Sequence, residues 1–401
     1  MKPDAAIEIV RELRKRGYDA YLVGGCVRDM VMKIEPADYD IATSAKPEEI
    51  VTIFPRTESI GAQFGVILVI HRGHPFEVAT FRSDEAYVDG RRPTGVVFTD
   101  ARQDVLRRDF TINGLLYDPI EKKVIDYVEG QADIQAKLVR AIGDARARFE
   151  EDKLRILRAI RFGARLGYEI EPATWDAVRE MAPAIHQVSS ERIREELARI
   201  LTEGQAARGF RLLDESGLRK EILPELYWTD HIERCLALVQ RGVPADFAMG
   251  VLLHHTPVPE VARIVERLKF SRAEMHHIVA LVENLPRFSR VRQMSVSSLK
   301  RFFRINRFGE HIDLARIHLA QACEELSGLE YVLRKRAEWN EKDIFPEPLI
   351  TGEDLIAQGF LPGPLFKEIL TRVEDEQLEG RLSSRTQALD FVKRHYPHPR
   401  S

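Results

Sequence analysis

At 401 residues, 44% of them hydrophobic and 31% charged, the chain reads as an ordinary soluble protein long enough for two or more domains. Its 60 Lys and Arg against 63 Asp and Glu leave a net charge of −3, which excludes a uniformly basic nucleic-acid coat, so any affinity for RNA must come from a local patch. No apolar run approaches the roughly 20 residues that cross a bilayer, Met1-Lys2-Pro3-Asp4 leads into a charged amphipathic segment instead of a signal core, and Cys26, Cys235 and Cys323 form no CxxC pair; a cytoplasmic location, no membrane, and reduced, packed cysteines are expected.

Most strand-like runs fall in residues 1–140: Ala20–Val23, Asp40–Ala42, Val66–His71, Phe76–Phe81 and Val124–Tyr127 are short, β-branched or aromatic-rich, and bounded by Gly, Pro or Asp. They predict a small α/β domain. Its first strand ends in Gly24-Gly25, and a helix carrying Arg28 follows. This is either a tight turn or a place where backbone N–H groups approach a phosphate. Asp38-Tyr39-Asp40 stands at the start of the next strand, where alternation sends both carboxylates to one side. They form either a solvated loop or oxygen ligands for Mg²⁺, two ions of which would activate a hydroxyl and stabilise a leaving pyrophosphate. Glu77 alternates with Phe76 and Val78, facing that site or solvent. Arg82–Val97 is polar and strand-poor, as gating loops often are. Arg108 and Asp109 are free to pair at the surface or to serve a site.

From about Ala141 the pattern becomes helical, with Glu151–Leu166, Ser190–Leu201 and Ala207–Ser216 placing apolar residues three and four apart. On one continuous helix Asp152, Arg155 and Arg158 share a face. The pairs His254-His255 and His276-His277 invite a metal reading, but helical neighbours diverge by about 100°, so neither pair is expected to converge on one ion. Lys300–Arg307 and Leu333–Arg336 are basic clusters, either solvated helix faces or phosphate contacts. Phe345-Pro346-Glu347-Pro348 reads as a linker, and Thr351–Gly359 with Leu361–Pro364 as two short helices joined by a Gly/Pro turn.

Leu22–Asp29 followed by Asp38–Thr43 resembles the first motif of the class II tRNA nucleotidyltransferases, the CCA-adding and A-adding enzymes and bacterial poly(A) polymerases of the DNA polymerase β-like superfamily. The resemblance implies an α+β fold, with a small nucleotidyltransferase head (1–140) followed by an elongated all-α neck (141–205), body (206–340) and tRNA-binding tail (341–401). It implies that Gly24, Gly25 and Arg28 hold the triphosphate, that Asp38 and Asp40 bind the metals, and that Glu77 is the candidate third carboxylate. Arg107–Gly114 is similar to the second motif, so Arg108 and Asn113 hold the nucleotide and Asp109 the ribose, with Asn-Gly where the family usually has Asn-Ala. Glu150–Phe162 resembles the EDxxRxxR motif, with Arg158 among the nucleotide contacts. There a carboxylate acceptor at Asp152 beside an Arg155 donor would fit the Watson–Crick edges of C and A and reject U and G. Asp126–Ile134 and Ser190–Leu197 look like the family's hinge and fifth motifs, both read as packing. The implied reaction adds CMP and AMP, or AMP alone, to the tRNA 3′ end from CTP and ATP. A bacterial poly(A) polymerase is the first alternative, disfavoured by Gly61–Val66, which resembles the tRNA enzymes; an inactive RNA-binding module is the second, disfavoured by the presence of both Asp38 and Asp40.

Overall fold

A computed structural model describes residues 2–61, 65–84, 96–322 and 327–396. The amino-terminal third is built on a seven-stranded sheet. Its strands are β1 (Ala20–Val23), β2 (Asp40–Thr43), β3 (Thr57–Gly61), β4 (Val66–His71) and β5 (His74–Thr80), with β6 (Arg82–Asp84) and β7 (Val96–Phe98) forming a separate ribbon, then β8 (Leu115–Asp118) and β9 (Lys123–Asp126). The order across the main sheet is β3-β4-β5-β2-β1-β8-β9. All its pairings are antiparallel except that of β2 with β5. That parallel pair decides the site: Ile41 is in register with Val78, so one step back along both strands Asp40 stands level with Glu77.

Helix α1 (Lys2–Lys15) buries Ala5, Ala6, Ile9, Val10 and Leu13, the three-and-four spacing of one helical face. Helices α2 (Gly25–Val31), α3 (Pro47–Ile53) and α4 (Ala101–Leu106) complete this region, and Val23, Ala42, Phe81, Val105 and Leu116 form one of its apolar clusters.

Past the sheet run α5 (Gly130–Ala136), α6 (Ala145–Glu151), α7 (Leu154–Leu166), α8 (Pro172–Met181), α9 (Ser190–Thr202) and α10 (Ala206–Glu215). The α+β class expected from the sequence is the one observed. The continuous helix expected over Glu151–Leu166 is not. Asp152 is extended at φ −145°, ψ 103°, and separates α6 from α7. Asp152 therefore does not share a helix face with Arg155 and Arg158. Apolar periodicity carried on across the break because Phe149, Leu154, Ile156 and Leu157 are all buried.

Two compact units divide the chain, one of residues 1–248 and 262–271, the other of residues 249–261 and 272–401. In the second, Ile350, Leu355, Phe360, Ile369, Val373, Leu382, Ala388, Phe391 and Val392 form a core of their own. The expected pair of short helices near the end is one short helix, Gly352–Ala357, and one of 15 residues, Pro364–Leu378. The basic cluster at 300–307 is spent within this unit: Arg301 pairs with Glu374 and Asp375, Arg304 with Glu374, and Lys300 donates to the carbonyl of Leu378. Cys26 and Cys235 are buried and not disulfide-bonded; Cys323, most of the polar loop 82–97 and residues 62–64 of the Gly61–Val66 stretch lie outside the described residues. Among the described residues no helix is long and apolar enough to cross a membrane.

Candidate active site

A cavity of about 610 Å³ opens between the sheet and helices α7 and α9. Gly24, Gly25, Arg28, Asp38, Asp40, Arg108, Asp109, Asn113, Asp152, Arg155 and Arg158 all line it. Glu77 does not; it is exposed on β5 beside Asp40.

The floor is set by β1 and its turn. Gly24 adopts φ +73°, in the left-handed region, and a Cβ there would sit 3.2 Å from Arg108 Nη1, so both conformation and space call for glycine. Arg28, only 3% exposed, donates from Nε and Nη2 to Asp29 Oδ1 at 2.9 and 2.7 Å and from Nη1 to Asn113 Oδ1 at 2.8 Å. Asn113 passes the chain on by donating to Asp109 Oδ1 at 3.3 Å. Asp109 Oδ2 accepts from Arg158 Nε and Nη2 at 2.8 and 2.6 Å. Burial opposes the charge of Asp109, but Arg158 and the Phe110 N–H outweigh it and lower the carboxyl to about 2. The surface pair Arg108–Asp109 does not form. Arg108 donates instead to Asp104, which also accepts from Arg107.

On the other wall, Asp38 and Asp40 reach the cavity while Tyr39 between them is buried. Asp40 opens to the cavity, yet protein encloses it on its remaining sides. This enclosure, then Glu77 and Asp38, push its carboxyl up to about 6, against the pull of Arg108. Lys2 Nζ has already come to Asp38 Oδ1, at 2.7 Å. An Asp40 carboxylate crowded by Asp38 and Glu77, with an ammonium drawn to Asp38, fits a hard divalent cation, which takes oxygen donors.

The third wall holds the finding that sequence reading missed. Both oxygens of Asp152 accept from Arg192, at 3.0 and 2.8 Å in a fork. Arg155 is committed elsewhere, to Glu151 Oε2 at 2.7 Å and to the carbonyls of Arg148 and Arg107. The stretch 190–197, expected only to pack, thus puts Arg192 into the cavity, with Arg199 two turns on. Its Glu196, 4% exposed, holds Arg161 at 2.6 Å. The signal was the spacing Arg192, Glu196, Arg199, a charged stripe on an otherwise amphipathic helix. Asp104 was also missed; its place three and four residues before Arg107 and Arg108 is the helical ion-pair spacing. The departure to Asn-Gly at 113–114 has a steric reason, since a Cβ on Gly114 would lie 2.7 Å from Val128 Cγ2.

Sheet and cavity together define a polymerase-type nucleotidyltransferase head. Residues 20–140 match the family model described as the Poly A polymerase head domain, residues 167–229 the probable RNA- and SrmB-binding site of polymerase A, and residues 247–392 tRNA nucleotidyltransferase domain 2. The CCA-adding enzyme of Streptococcus mutans is 33% identical over 97% of this chain and 96% of its own length. The chain belongs to the CCA-adding enzyme family. That of Bacillus licheniformis is 44% identical, but there the match spans 54% of this chain and 55% of the relative. A crystal structure of the Bacillus stearothermophilus CCA-adding enzyme in complex with CTP superimposes with a TM-score of 0.81, at 29% identity and over 98% of both chains.

Proposed function

We propose that this protein adds CMP and AMP to the 3′ end of tRNA from CTP and ATP, without a nucleic-acid template. The observation that carries the reading is the placement of Asp40 level with Glu77 and beside Asp38, in the cavity that also holds Arg28, Arg108 and Asp109. Relatives that match over nearly the whole chain bear the name CCA-adding enzyme, and a similar solved structure holds CTP.

The 3′-hydroxyl oxygen of tRNA attacks the α-phosphorus, a new P–O bond forms, the α–β bridge breaks and pyrophosphate leaves. Asp38 and Asp40, with Glu77 at their side, would hold the divalent cations, Mg²⁺ in this reading. When bound, these ease deprotonation of the attacking hydroxyl and stabilise the charge on the departing group. Arg108 and the Gly24-Gly25 backbone receive the triphosphate, and Arg28 keeps Asn113 and thereby Asp109 in place. Asp109, kept ionised by Arg158, would accept the ribose 2′-OH in place of the Asn113 donation, the longest of its four hydrogen bonds at 3.3 Å, which favours NTP over dNTP. Asp152 would accept from the amino group of C or A, and Arg155, whose hydrogen bonds to Glu151, Arg148 and Arg107 use Nη1 and Nη2, would donate from Nε to the ring nitrogen beside it. Each oxygen of Asp152 has two lone pairs, so the Arg192 fork leaves acceptor capacity while fixing the carboxylate. Head 1–140, neck 141–205, body 206–340 and tail 341–401, with the tail on tRNA and the enzyme in the cytoplasm, belong to the same reading.

The test is incubation with tRNAs lacking CCA, ending in C, or ending in CC, each with CTP, ATP or both. Extension to CCA on all three substrates is expected. Homopolymeric A tails on each, or no extension of any, would overturn the reading.

A further inference from the structure

The helix Ala245–Leu253 ends just before His254, so the divergence expected of helical neighbours does not apply to His254 and His255. Their ring centroids are 4.3 Å apart. His318, from the helix Phe308–Ala322, closes a triangle with centroids 5.2 Å from His254 and 5.3 Å from His255. One ring nitrogen of each lies within 4.8 Å of the others. The pair at 276–277 does diverge: it sits inside the helix Arg272–Asn284, with His276 exposed and His277 buried against Glu310 at 2.9 Å.

We propose that His254, His255 and His318 bind a transition-metal cation of the Zn²⁺ class, at a site built from residues none of which lines the carboxylate cavity. His254 Nδ1 stands 2.6 Å from the carbonyl oxygen of Val251, so that nitrogen carries the proton and Nε2 presents its lone pair. Metal-ligating histidines are fixed in this way by a second, outer hydrogen bond. Three imidazoles in mutual contact repel when protonated, whereas one cation accepted by three lone pairs draws them together. Neutral nitrogen donors select Zn²⁺, Ni²⁺ or Cu²⁺ over Mg²⁺, so the two sites in this chain would sort their metals by donor chemistry. His255 is exposed and His318 half-buried, which gives an ion a route from solvent. Once bound, it would clamp the turn after residues 245–253 to the helix 308–322.

Full-length protein without an affinity tag, stripped with EDTA and kept in excess Mg²⁺ to occupy the carboxylates, is titrated with Zn²⁺ by calorimetry. One Zn²⁺ equivalent is expected, weakened at least about tenfold by His255→Ala and by His318→Ala and unchanged by His276→Ala. Co²⁺ in its place should give visible ligand-field absorption that both cluster variants lose. Circular dichroism of the metal-free forms checks folding, and the exposed His255 is the variant the fold tolerates best. Absence of a Zn²⁺ equivalent of micromolar affinity, or one that persists in both cluster variants, would overturn the proposal.

Discussion

Asp109 and Asp40 line the same cavity, and the fold drives their carboxyls in opposite directions, Asp109 to about 2 and Asp40 to about 6. Burial raises both. At Asp109 the Arg158 guanidinium more than offsets it, while at Asp40 Glu77 and Asp38 add to it and Arg108 falls short. One wall is thus complete as a network running Asp29, Arg28, Asn113, Asp109, Arg158. The other carries more negative charge than its own residues neutralise. In the proposed reading the contrast divides labour: the paired wall would hold sugar and phosphate, and the wall left with excess negative charge is where cationic charge, and with it chemistry, would be supplied.

The largest effect is expected on the wall with excess negative charge. Asp40→Ala should lower nucleotide transfer by at least about 10²–10³-fold, the scale of losing one element of transition-state stabilisation, with an unchanged circular dichroism spectrum. Turnover near that of the parent protein would remove the reacting centre from this wall. On the paired wall the expected damage is to stability. Asp109→Ala leaves the half-buried Arg158 with only the Glu196 ion pair, at 3.7 Å, and should cost about 1–3 kcal/mol, read as a lowered denaturation midpoint. The sign with pH follows from the lowered carboxyl. Asp109's contribution is full above its unfolded value of about 3.9 and is lost as pH falls through about 2, so the gap between parent and variant should close only in strong acid.

Arg192→Ala sharpens the comparison on the third wall. With the fork gone, Asp152 loses its fixed orientation, and the preference for CTP and ATP over UTP and GTP should erode by about 1–3 kcal/mol. Single-nucleotide incorporation from all four NTPs measures it; unchanged ratios with a lower melting temperature would make the Arg192–Asp152 pair purely structural. A smaller effect is expected from pH on cation binding. Asp40 is protonated below about 6, so Mn²⁺ affinity, followed by electron paramagnetic resonance, should fall by up to about tenfold per pH unit below that point and level off above it. A flat profile would show that Asp40 does not meet the ion.

Gly24, Gly25, Asp38 and Asp40 were legible in the sequence because they lie at a strand end and a strand start, where local rules hold, whereas Arg108, Asp109, Asn113 and Arg158 were reached only through the motif resemblance. Ala20–Val23 and Val66–His71 are the observed strands to the residue, the first an apolar run with Tyr21 and Val23 ended by Gly24, the second a β-branched run that follows Gly65. Strands β3 and β8 were not read, since Thr57–Gly61 and Leu115–Asp118 hold little β-branched apolar sequence and owe their state to sheet neighbours. The third wall was the least legible. The break at Asp152 leaves no mark in the hydrophobic period; Asp152 Oδ1 accepts from the Leu154 N–H at 3.1 Å at the start of the next helix, and the fork that also holds this carboxylate comes from Arg192, 40 residues away. The histidine cluster escaped for a more local reason: Pro257 is a stop signal, and the helix ahead of it closes at Leu253, before both histidines.

The division between holder and reacting centre is tested most directly by comparing CTP binding with single-turnover transfer in two variants, Asp40→Ala and Arg158→Ala. Asp40→Ala should bind CTP within about threefold of the parent while transfer collapses by at least about 10²-fold, whereas Arg158→Ala should lose its discrimination between CTP and dCTP and keep measurable transfer. The same pattern of loss in both variants, or normal transfer by Asp40→Ala, would contradict it.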